Sequence, residues 1–386
     1  MNTLSLVISV LLLILILPGT IELLLLTVAA IFPSRSQSGD PNEIKLAVVI
    51  PAHNEEKGLP QTLESLLACS KPLARDDLVV IADNCTDATA KIAEQFGVGL
   101  IERFDDKLRG KGYALNYAFS QLIKEDYDAF IVVDADTIVD KNFIDAYRRF
   151  FAAGESAGQA VYRVKNASVN LRTRLMNIAF LAFNLLRPKG RYNLGLSCGI
   201  LGNGFALSKE TLEAIPYDSF SVVEDLEHHL RLIRAGYKVR YLHNTTVWSD
   251  MPSTSEEAKS QRERWEGGRF RMVSELVPQL LKDIFLHGRL GMIEPLLELL
   301  LLPLGFHVVL VLVLLLLGSG MFKFVALLAL LIVVLHVVAA MILGKAGWED
   351  WRALLAAPFY ILWKLANLGG ILRTARKNAD WKRTSR

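Results

Sequence analysis

The sequence lacks what a disulfide-stapled or zinc-ribbon protein needs. Its three cysteines, Cys69, Cys85 and Cys198, are odd in number, far apart and without a C-x-x-C pair. That excludes both frameworks and suits a reducing compartment. No charge of one sign dominates: 43 Lys and Arg face 40 Asp and Glu, a net charge of +3. The basic footprint of a dedicated nucleic-acid binder is therefore missing. There is no internal repeat, low-complexity linker, Walker A loop or H-E-x-x-H pair. No Lys or Arg precedes the first apolar run, which is longer than the h-region of a cleaved signal peptide. What the 386 residues do have is apolar bulk, 52% hydrophobic against 22% charged. This balance fits a chain that is part soluble and part membrane.

The apolar bulk lies at the two ends. Leu4 to Phe32 is nearly continuous, broken by Pro18, Gly19 and Glu22, and reads as a kinked N-terminal transmembrane helix within residues 1–33. Ile293 to Leu317 and Met321 to Leu343, separated by Gly318, Ser319 and Gly320, read as a hairpin crossing the bilayer twice, within 293–344. Ala353 to Leu372 is interrupted by Pro358, Lys364 and Asn367, and the tail after it holds six Lys and Arg against Asp380 alone. Residues 345–386 are thus expected to form an interfacial helix and a basic cytosolic tail. Placing that tail inside puts the N-terminus outside and residues 33–290 in the cytosol. The expectation is an integral protein of a bacterial inner (plasma) membrane with its chemistry on the cytosolic side. Two more stretches, Leu171–Leu186 and Leu276–Phe285, either lie on the membrane or pack on the soluble part, and 276–292 is assigned an amphipathic interface helix.

Between residues 44 and 275 short β-rich runs alternate with helical patterns: Leu46–Ile50, Leu78–Ala82, Val98–Glu102, Phe130–Val133 and Val239–Leu242. This predicts an α/β domain with a largely parallel, Rossmann-like sheet, in which ligands bind just beyond the carboxyl ends of strands. The first run leads into Pro51, Ala52, His53, Asn54, Glu55 and Glu56, with Pro60 near the start of a helix. The second leads into Asp83, Asn84, Cys85, Thr86 and Asp87. Both ends carry polar groups able to bind a base and ribose. In Arg109-Gly-Lys-Gly-Tyr-Ala-Leu-Asn116, glycines flanking Lys111 would let a backbone and an ammonium approach a phosphate. The fourth run ends in Asp134-Ala-Asp136, an oxygen-rich pair of the kind Mg²⁺ or Mn²⁺ uses to bridge phosphates.

Ser221-Val-Val-Glu224-Asp225 has the S-x-x-E spacing of a capping box, which accounts for Glu224 and leaves Asp225, in a first helical turn, as the candidate general base. His228 and His229 stand four residues after Glu224 and Asp225, a spacing able to hold a transition metal, although surface histidines are the plainer expectation. Gln261, Arg264 and Trp265 share one helix face, offering an amide, a guanidinium for a diphosphate and an indole for a sugar ring.

The ordered set V-V-I-P-A-H-N-E-E, A-D-N-C-T-D, R-G-K-G-Y-A-L-N, D-A-D, E-D and Q-R-E-R-W, spread over residues 44–270, resembles family 2 glycosyltransferases. Within them it is most similar to the membrane-integrated branch of cellulose, hyaluronan and poly-N-acetylglucosamine synthases and ceramide glucosyltransferases. The resemblance implies a GT-A fold, a nucleotide-sugar donor (usually a UDP-sugar), a Mg²⁺ or Mn²⁺ cofactor and inversion at the anomeric carbon. It gives Asp83 to the nucleotide, with Pro51, Ala52, Asn54, Glu55 and Lys111 around the donor, and Asp134 and Asp136 to the phosphates and metal. Asp225 becomes the base; Glu224, Gln261, Arg264 and Trp265 fall at the acceptor and diphosphate, and Gly202, Asn203 and Gly204 of G-I-L-G-N-G-F match an acceptor-side loop. Val223 replaces the first residue of the usual T-E-D-type motif, and no extended C-terminal gating region follows the last apolar segment, so processivity is not implied.

The expected function is hexosyl transfer (EC 2.4.1-type) to a membrane-held acceptor, either a growing exopolysaccharide served by export partners or a lipid-linked glycan. One alternative acceptor is a simple lipid such as ceramide. A catalytically inactive membrane scaffold and a metal hydrolase built on Asp225, His228 and His229 are the readings from other classes.

Overall fold

The computed structural model describes residues 3–35, 39–41, 44–221 and 223–366. The basic tail and the expected helix beyond residue 366 lie outside them. The chain begins with α1 (Thr3–Ile31), 29 residues that at 1.5 Å each reach about 43 Å. An α/β unit follows: β1 (Leu46–Ala52), α2 (Leu59–Leu67), β2 (Leu78–Asp83), α3 (Thr89–Phe96), β3 (Gly99–Arg103), α4 (Lys111–Leu122), β4 (Ala129–Val132), β5 (Thr137–Val139), α5 (Phe143–Ala152), β6 (Ala157–Val164), α6 (Leu171–Phe180), a π-helical turn (Leu181–Leu186), α7 (Arg187–Asn193), β7 (Phe205–Ser208), α8 (Lys209–Ala214), α9 (Glu224–Arg234) and β8 (Val239–Ser249). The chain closes with α10 (Ser255–His287), α11 (Ile293–Leu300), α12 (Leu304–Leu317), α13 (Met321–Leu343), α14 (Trp348–Leu354) and α15 (Ala357–Ala366).

Among the described residues, eight strands form one mixed sheet in the order β3-β2-β1-β4-β7-β6-β8-β5. β1 pairs in parallel with both β2 and β4 and β2 with β3, whereas β7 runs antiparallel to β4 and β6. The five strands read from the sequence are present. β5, β6 and β7 were not read: β5 has three residues and β7 four, too short to show a period. β6 contains Gly158 and Arg163, which break its apolar run. The sheet has two buried faces. On one, Val48, Ile50, Val80 and Ile131 pack against α2 and α5; on the other, Val49, Ile81 and Val132 pack against α4. β1, β2 and β4 are buried along almost their whole length, as strands covered by helices on both sides must be, whereas β3, at the edge of the sheet, is buried only at Arg103.

α1 and α13 are each long and apolar enough to cross a membrane, and α11 with α12 is a third candidate only if the bent pair is one span. The run from Ile293 to Leu317, read as one arm of the hairpin, is bent: the chain turns by 81° between α11 and α12. Pro303 at the break offers no backbone N–H. Glu294 and Glu298 of α11 are drawn out of any apolar path to Arg191 of α7, at 3.2 and 3.4 Å. Leu12 and Ile16 of α1 pack with Val311 and Leu314 of α12 and Ala326 and Ala329 of α13. Gly19 lets α1 approach α12, since a Cβ there would meet the His307 ring at 3.3 Å.

Leu171–Leu186 packs both ways. Phe180 sits edge-on to Tyr162 of β6, while Leu175 and Ile178 pack on Met341, and Leu181 and Leu186 on Ala30 and Ala340. The stretch expected to begin a separate helix at residue 276 is instead the C-terminal part of the unbroken, 33-residue α10. Its Leu280 and Ile284 bury against Leu230 and Ile233 of α9.

Candidate active site

The sheet order reverses at β1, whose neighbours β2 and β4 lead the chain to opposite sides, and ligands bind at the carboxyl ends of such strands. There a cleft of about 200 Å³ is lined by Pro51, Ala52, His53, Glu55, Asp83, Asn84, Arg109, Lys111, Asp134, Asp136 and Arg264. Asp83 ends β2 and is held by Arg103 at the end of β3, 2.6 Å from guanidinium to carboxylate, with both side chains buried. His53 Nδ1 lies 2.7 Å from the Asp83 carbonyl and joins the β1 and β2 loops. Asn54 and Asn84 both take left-handed backbone, φ 55 and 53, a conformation asparagine tolerates better than most residues. The Asn54 carboxamide accepts from the Thr86 N–H at 2.7 Å and does not line the cleft. Its place is in stapling the two loops together.

Lys111 opens α4 and bridges the site. Its ammonium donates to Asp134 and to the Gly202 carbonyl, tying β4 to the loop before β7. Facing Asp134, Glu224 and Asp225 raises its pKa despite burial, so it is fully charged at neutral pH. Of the flanking glycines, Gly110 takes φ +126, open to few other residues. Gly112 serves close packing instead: a Cβ there would lie 1.9 Å from the Ser219 carbonyl oxygen.

Asp134 is oriented from behind. Asn203 accepts from the Asp134 backbone N–H at 3.1 Å and donates to Thr137 and Ser249 at 2.8 and 3.0 Å, while Gln159 donates to the Asn203 carbonyl at 2.8 Å. Asn203 lines neither cavity. Gly204, φ 66, packs on Val247, where a Cβ would clash at 2.7 Å. These two build the loop, and Gly202 presents it, its Cα facing Asp225 so closely that a Cβ would sit 3.1 Å from Oδ2.

A second cavity, of about 1210 Å³, adjoins the cleft at Lys111, Asp134 and Arg264. Glu224, Asp225, Gln261 and Trp265 stand near this junction, and Leu304, Val308, Leu330, Val333, Val334 and Val337 of α12 and α13 also wall the space. Burial, with repulsion from Asp225, raises the pKa of Glu224 to about 8, and burial, with repulsion from Asp134, raises that of Asp225. Near neutrality Glu224 therefore holds its proton, and Asp225 Oδ1 accepts from the Leu226 N–H at 2.8 Å. The expected capping box does not form. Helix α9 begins at Glu224 with Val223 as its cap, and Ser221 instead donates its N–H to Glu227 at 3.1 Å. Glu224 is thus left facing Lys111 and the cavity.

The histidines correct a second expectation, since His228 and His229 are both fully buried rather than on the surface. His228 packs on the Tyr217 ring, 4.4 Å between centroids, and His229 Nε2 lies 2.8 Å from Ser197 Oγ. Burial lowers both pKa values, that of His228 to about 3. Among the described residues no group of three or more His, Cys, Asp or Glu converges as a metal site. The three cysteines are free.

A profile described as "Glycosyltransferase like family 2" matches residues 41–268, more than half of the chain. The chain belongs to glycosyltransferase family 2. Among its curated relatives, a probable glycosyltransferase, YdaM, of Bacillus subtilis is 30% identical over 251 residues, covering 62% of this chain and 58% of that protein. A beta-monoglucosyldiacylglycerol synthase of Synechocystis is 26% identical, covering 60% and 50%. A hyaluronan synthase of Streptococcus pyogenes is 31% identical over 150 residues, covering 37% and 35%. The chain thus spans little more than half the length of these relatives, or less. Among solved structures, the mannosyltransferase PcManGT from Pyrobaculum calidifontis, in complex with GDP-Man and Mn²⁺, superposes with a TM-score of 0.55 over 96% of both chains at 16% identity. The shared fold is GT-A.

Within this family 2 glycosyltransferase the structure brings Pro51, Ala52, Glu55, Asp83, Lys111, Asp134 and Asp136 to one cleft, and Gly202, Glu224, Asp225, Gln261 and Trp265 to the adjoining cavity, with Arg264 on both. It sets Asn54, Asn203 and Gly204 behind them. Arg103 was not singled out, although it is the final residue of β3, the position at which a parallel sheet presents its ligands. Gln159 carried no signal, lying in a strand that was not recognised.

Proposed function

We propose that this family 2 glycosyltransferase moves a hexose from a nucleotide sugar, of the UDP kind, to a hydroxyl of a lipid acceptor held at the membrane, with inversion. The observation that carries this reading is the second cavity: it starts at Asp225 and Arg264 and continues between aliphatic side chains of α12 and α13. Such walls suit alkyl chains better than a hydrated glycan. The Synechocystis relative, named for a glucosylated diacylglycerol, supports the same class of acceptor. In this reading α1 and α13 cross the inner membrane and the α/β unit faces the cytosol, where nucleotide sugars are made.

The acceptor hydroxyl oxygen forms a bond to the anomeric carbon from the cavity side as the bond to the diphosphate oxygen breaks on the cleft side. Asp225 takes the hydroxyl proton, and its raised pKa makes it a stronger base than an exposed carboxylate. Arg264, at the junction, pairs with the departing diphosphate. Lys111 keeps Asp134 and Gly202 in register, so donor and acceptor sides move as one. Asp134 and Asp136 fit a Mg²⁺ or Mn²⁺ ion of the kind bound to PcManGT. Two carboxylates on an open cleft, with the remaining positions left to phosphate oxygens and water, is how such ions are held beside nucleotides. When bound, the ion neutralises charge on the diphosphate leaving group.

The test is to incubate detergent-purified protein with labelled nucleotide sugars and a lipid extract, then partition the products. One label-bearing short glycolipid in the organic phase is expected. Long aqueous-soluble chains would refute the lipid acceptor and identify a polysaccharide synthase, with export partners to be sought.

A further inference from the structure

Three arginines lie buried or half-buried where α7, α10 and α11 meet α1, and they are not treated alike. Arg191 collects the local carboxylates: Glu22 of α1 at 2.9 Å, Glu294 at 3.2 Å and Glu298 at 3.4 Å. Glu298 is further shared with His229 at 3.7 Å. Arg187, one turn earlier on α7, is 7% exposed and forms no ion pair or hydrogen bond among the described residues. Its Nε is closed off without a partner. Its guanidinium stands 5.2 Å from the Phe183 ring, a contact that steadies the cation but leaves its N–H donors unused. Arg269 lies four residues beyond Trp265 on the same face of α10 and, among the described residues, donates only to backbone carbonyls, those of Glu298 and, at 3.1 Å, Leu301.

Arg187 and Arg269 both line the large cavity, beside Leu301, Leu304 and Val333. Burial lowers the Arg187 pKa to about 10, and the side chain remains cationic at neutral pH. Glu22 and Glu298 act on both guanidiniums at longer range but are ion-paired to Arg191, and a buried guanidinium without a directly paired anion is costly. One placed on the wall of a cavity, beside aliphatic side chains, is matched by a ligand that carries an anion on an alkyl chain.

We propose that Arg187 and Arg269 form an anion subsite for the phosphate of a lipid whose chains occupy the aliphatic part of the cavity. This rests on the lipid-acceptor reading for its role in transfer and makes the acceptor a phosphate-bearing lipid. Binding itself requires neither donor nor turnover.

The test measures equilibrium binding of labelled phosphatidic acid, and of diacylglycerol with the same acyl chains, to the full chain in mixed micelles without nucleotide. It compares the unmodified protein with Arg187→Gln and Arg187→Lys. Phosphatidic acid is expected to bind at least about tenfold more tightly, the yield of one charge-assisted hydrogen bond. Arg187→Gln should bring the two lipids level, and Arg187→Lys should restore part of the difference. Equal binding of the two lipids to the unmodified protein, or a preference undiminished in Arg187→Gln, would overturn the proposal. So would displacement of the lipid by equimolar inorganic phosphate, which would mark a site for the free anion. Should Arg187→Gln fail to fold, Arg269→Gln in the same assay takes its place. Sugar transfer to diacylglycerol without any preference for the phosphate would remove the subsite and leave the lipid-acceptor reading intact. A preference without transfer would do the reverse.

Discussion

Replacing Asn203 by alanine tests whether Asp134 is held from behind. Asn203 is 1% exposed, and its carboxamide binds the Asp134 N–H and the Thr137 and Ser249 hydroxyls. Three hydrogen bonds at about 1 kcal/mol each give a loss of about 3 kcal/mol. The two hydroxyls keep one another at 3.0 Å, so the group left unsatisfied is the Asp134 N–H itself. For a folded unit of roughly 200 residues, at about 2–4 °C per kcal/mol, the melting temperature should fall by about 6–12 °C. Thermal unfolding in detergent, followed by near-ultraviolet circular dichroism, reads this directly. A titration with nucleotide sugar and Mn²⁺ should show donor affinity falling about tenfold as Asp134 loses its fixed position. A melting temperature within about 1 °C of the unmodified protein, together with unchanged donor affinity, would refute the scaffold argument.

Further expectations concern the same site. Because burial and Asp225 raise the Glu224 pKa from 4.5 to about 8, the folded state keeps a proton that the unfolded chain loses. This contribution to stability is complete below pH 4.5 and is lost as pH rises towards 8. Glu224→Gln should flatten that part of the stability–pH curve, and an unaltered slope would count against the assignment. Gly112→Ala should push the start of α4 from the Ser219 carbonyl and cut turnover at least about tenfold, through displacement of Lys111; normal kinetics would show that the loop can yield. Arg103→Gln strands the buried Asp83 carboxylate, a loss of about 3–5 kcal/mol, and should weaken nucleotide binding measured by calorimetry. Wild-type affinity would mean that Asp83 does not serve the donor.

The inner strands and their terminal carboxylates were legible in the sequence because a strand buried on both faces is a plain apolar run, and a polar group straight after it has few other places to be. Asp83, Asp134 and Asp136 were found in this way, as were Pro51 and Glu55. The edge of the sheet was not legible. β5 is too short to show alternation, and β6 interrupts its run with Gly158 and Arg163. Spacing misled at Ser221 and Glu224, because a capping box requires the serine at the cap, and the helix starts two residues later. It misled again at His228 and His229, whose burial depends on Tyr217 and Ser197, distant in sequence. Apolar length alone could not reveal the bend at Pro303 either, because Arg191, which draws Glu294 and Glu298 aside, lies a hundred residues away in the chain. The cavity shared by α10, α12 and α13 is a property of packing, and no local pattern announces it.

The central claim is that Asp225 and the Asp134–Asp136 pair perform metal-assisted sugar transfer. The most direct measurement is nucleoside-diphosphate release by detergent-purified protein, offered a panel of nucleotide sugars and a lipid extract, with and without a chelator, beside Asp225→Asn. The account predicts release from one donor, abolished by the chelator and reduced at least about a hundredfold in Asp225→Asn while donor binding persists. Release that survives both the chelator and the substitution would contradict it, and so would no release from any donor.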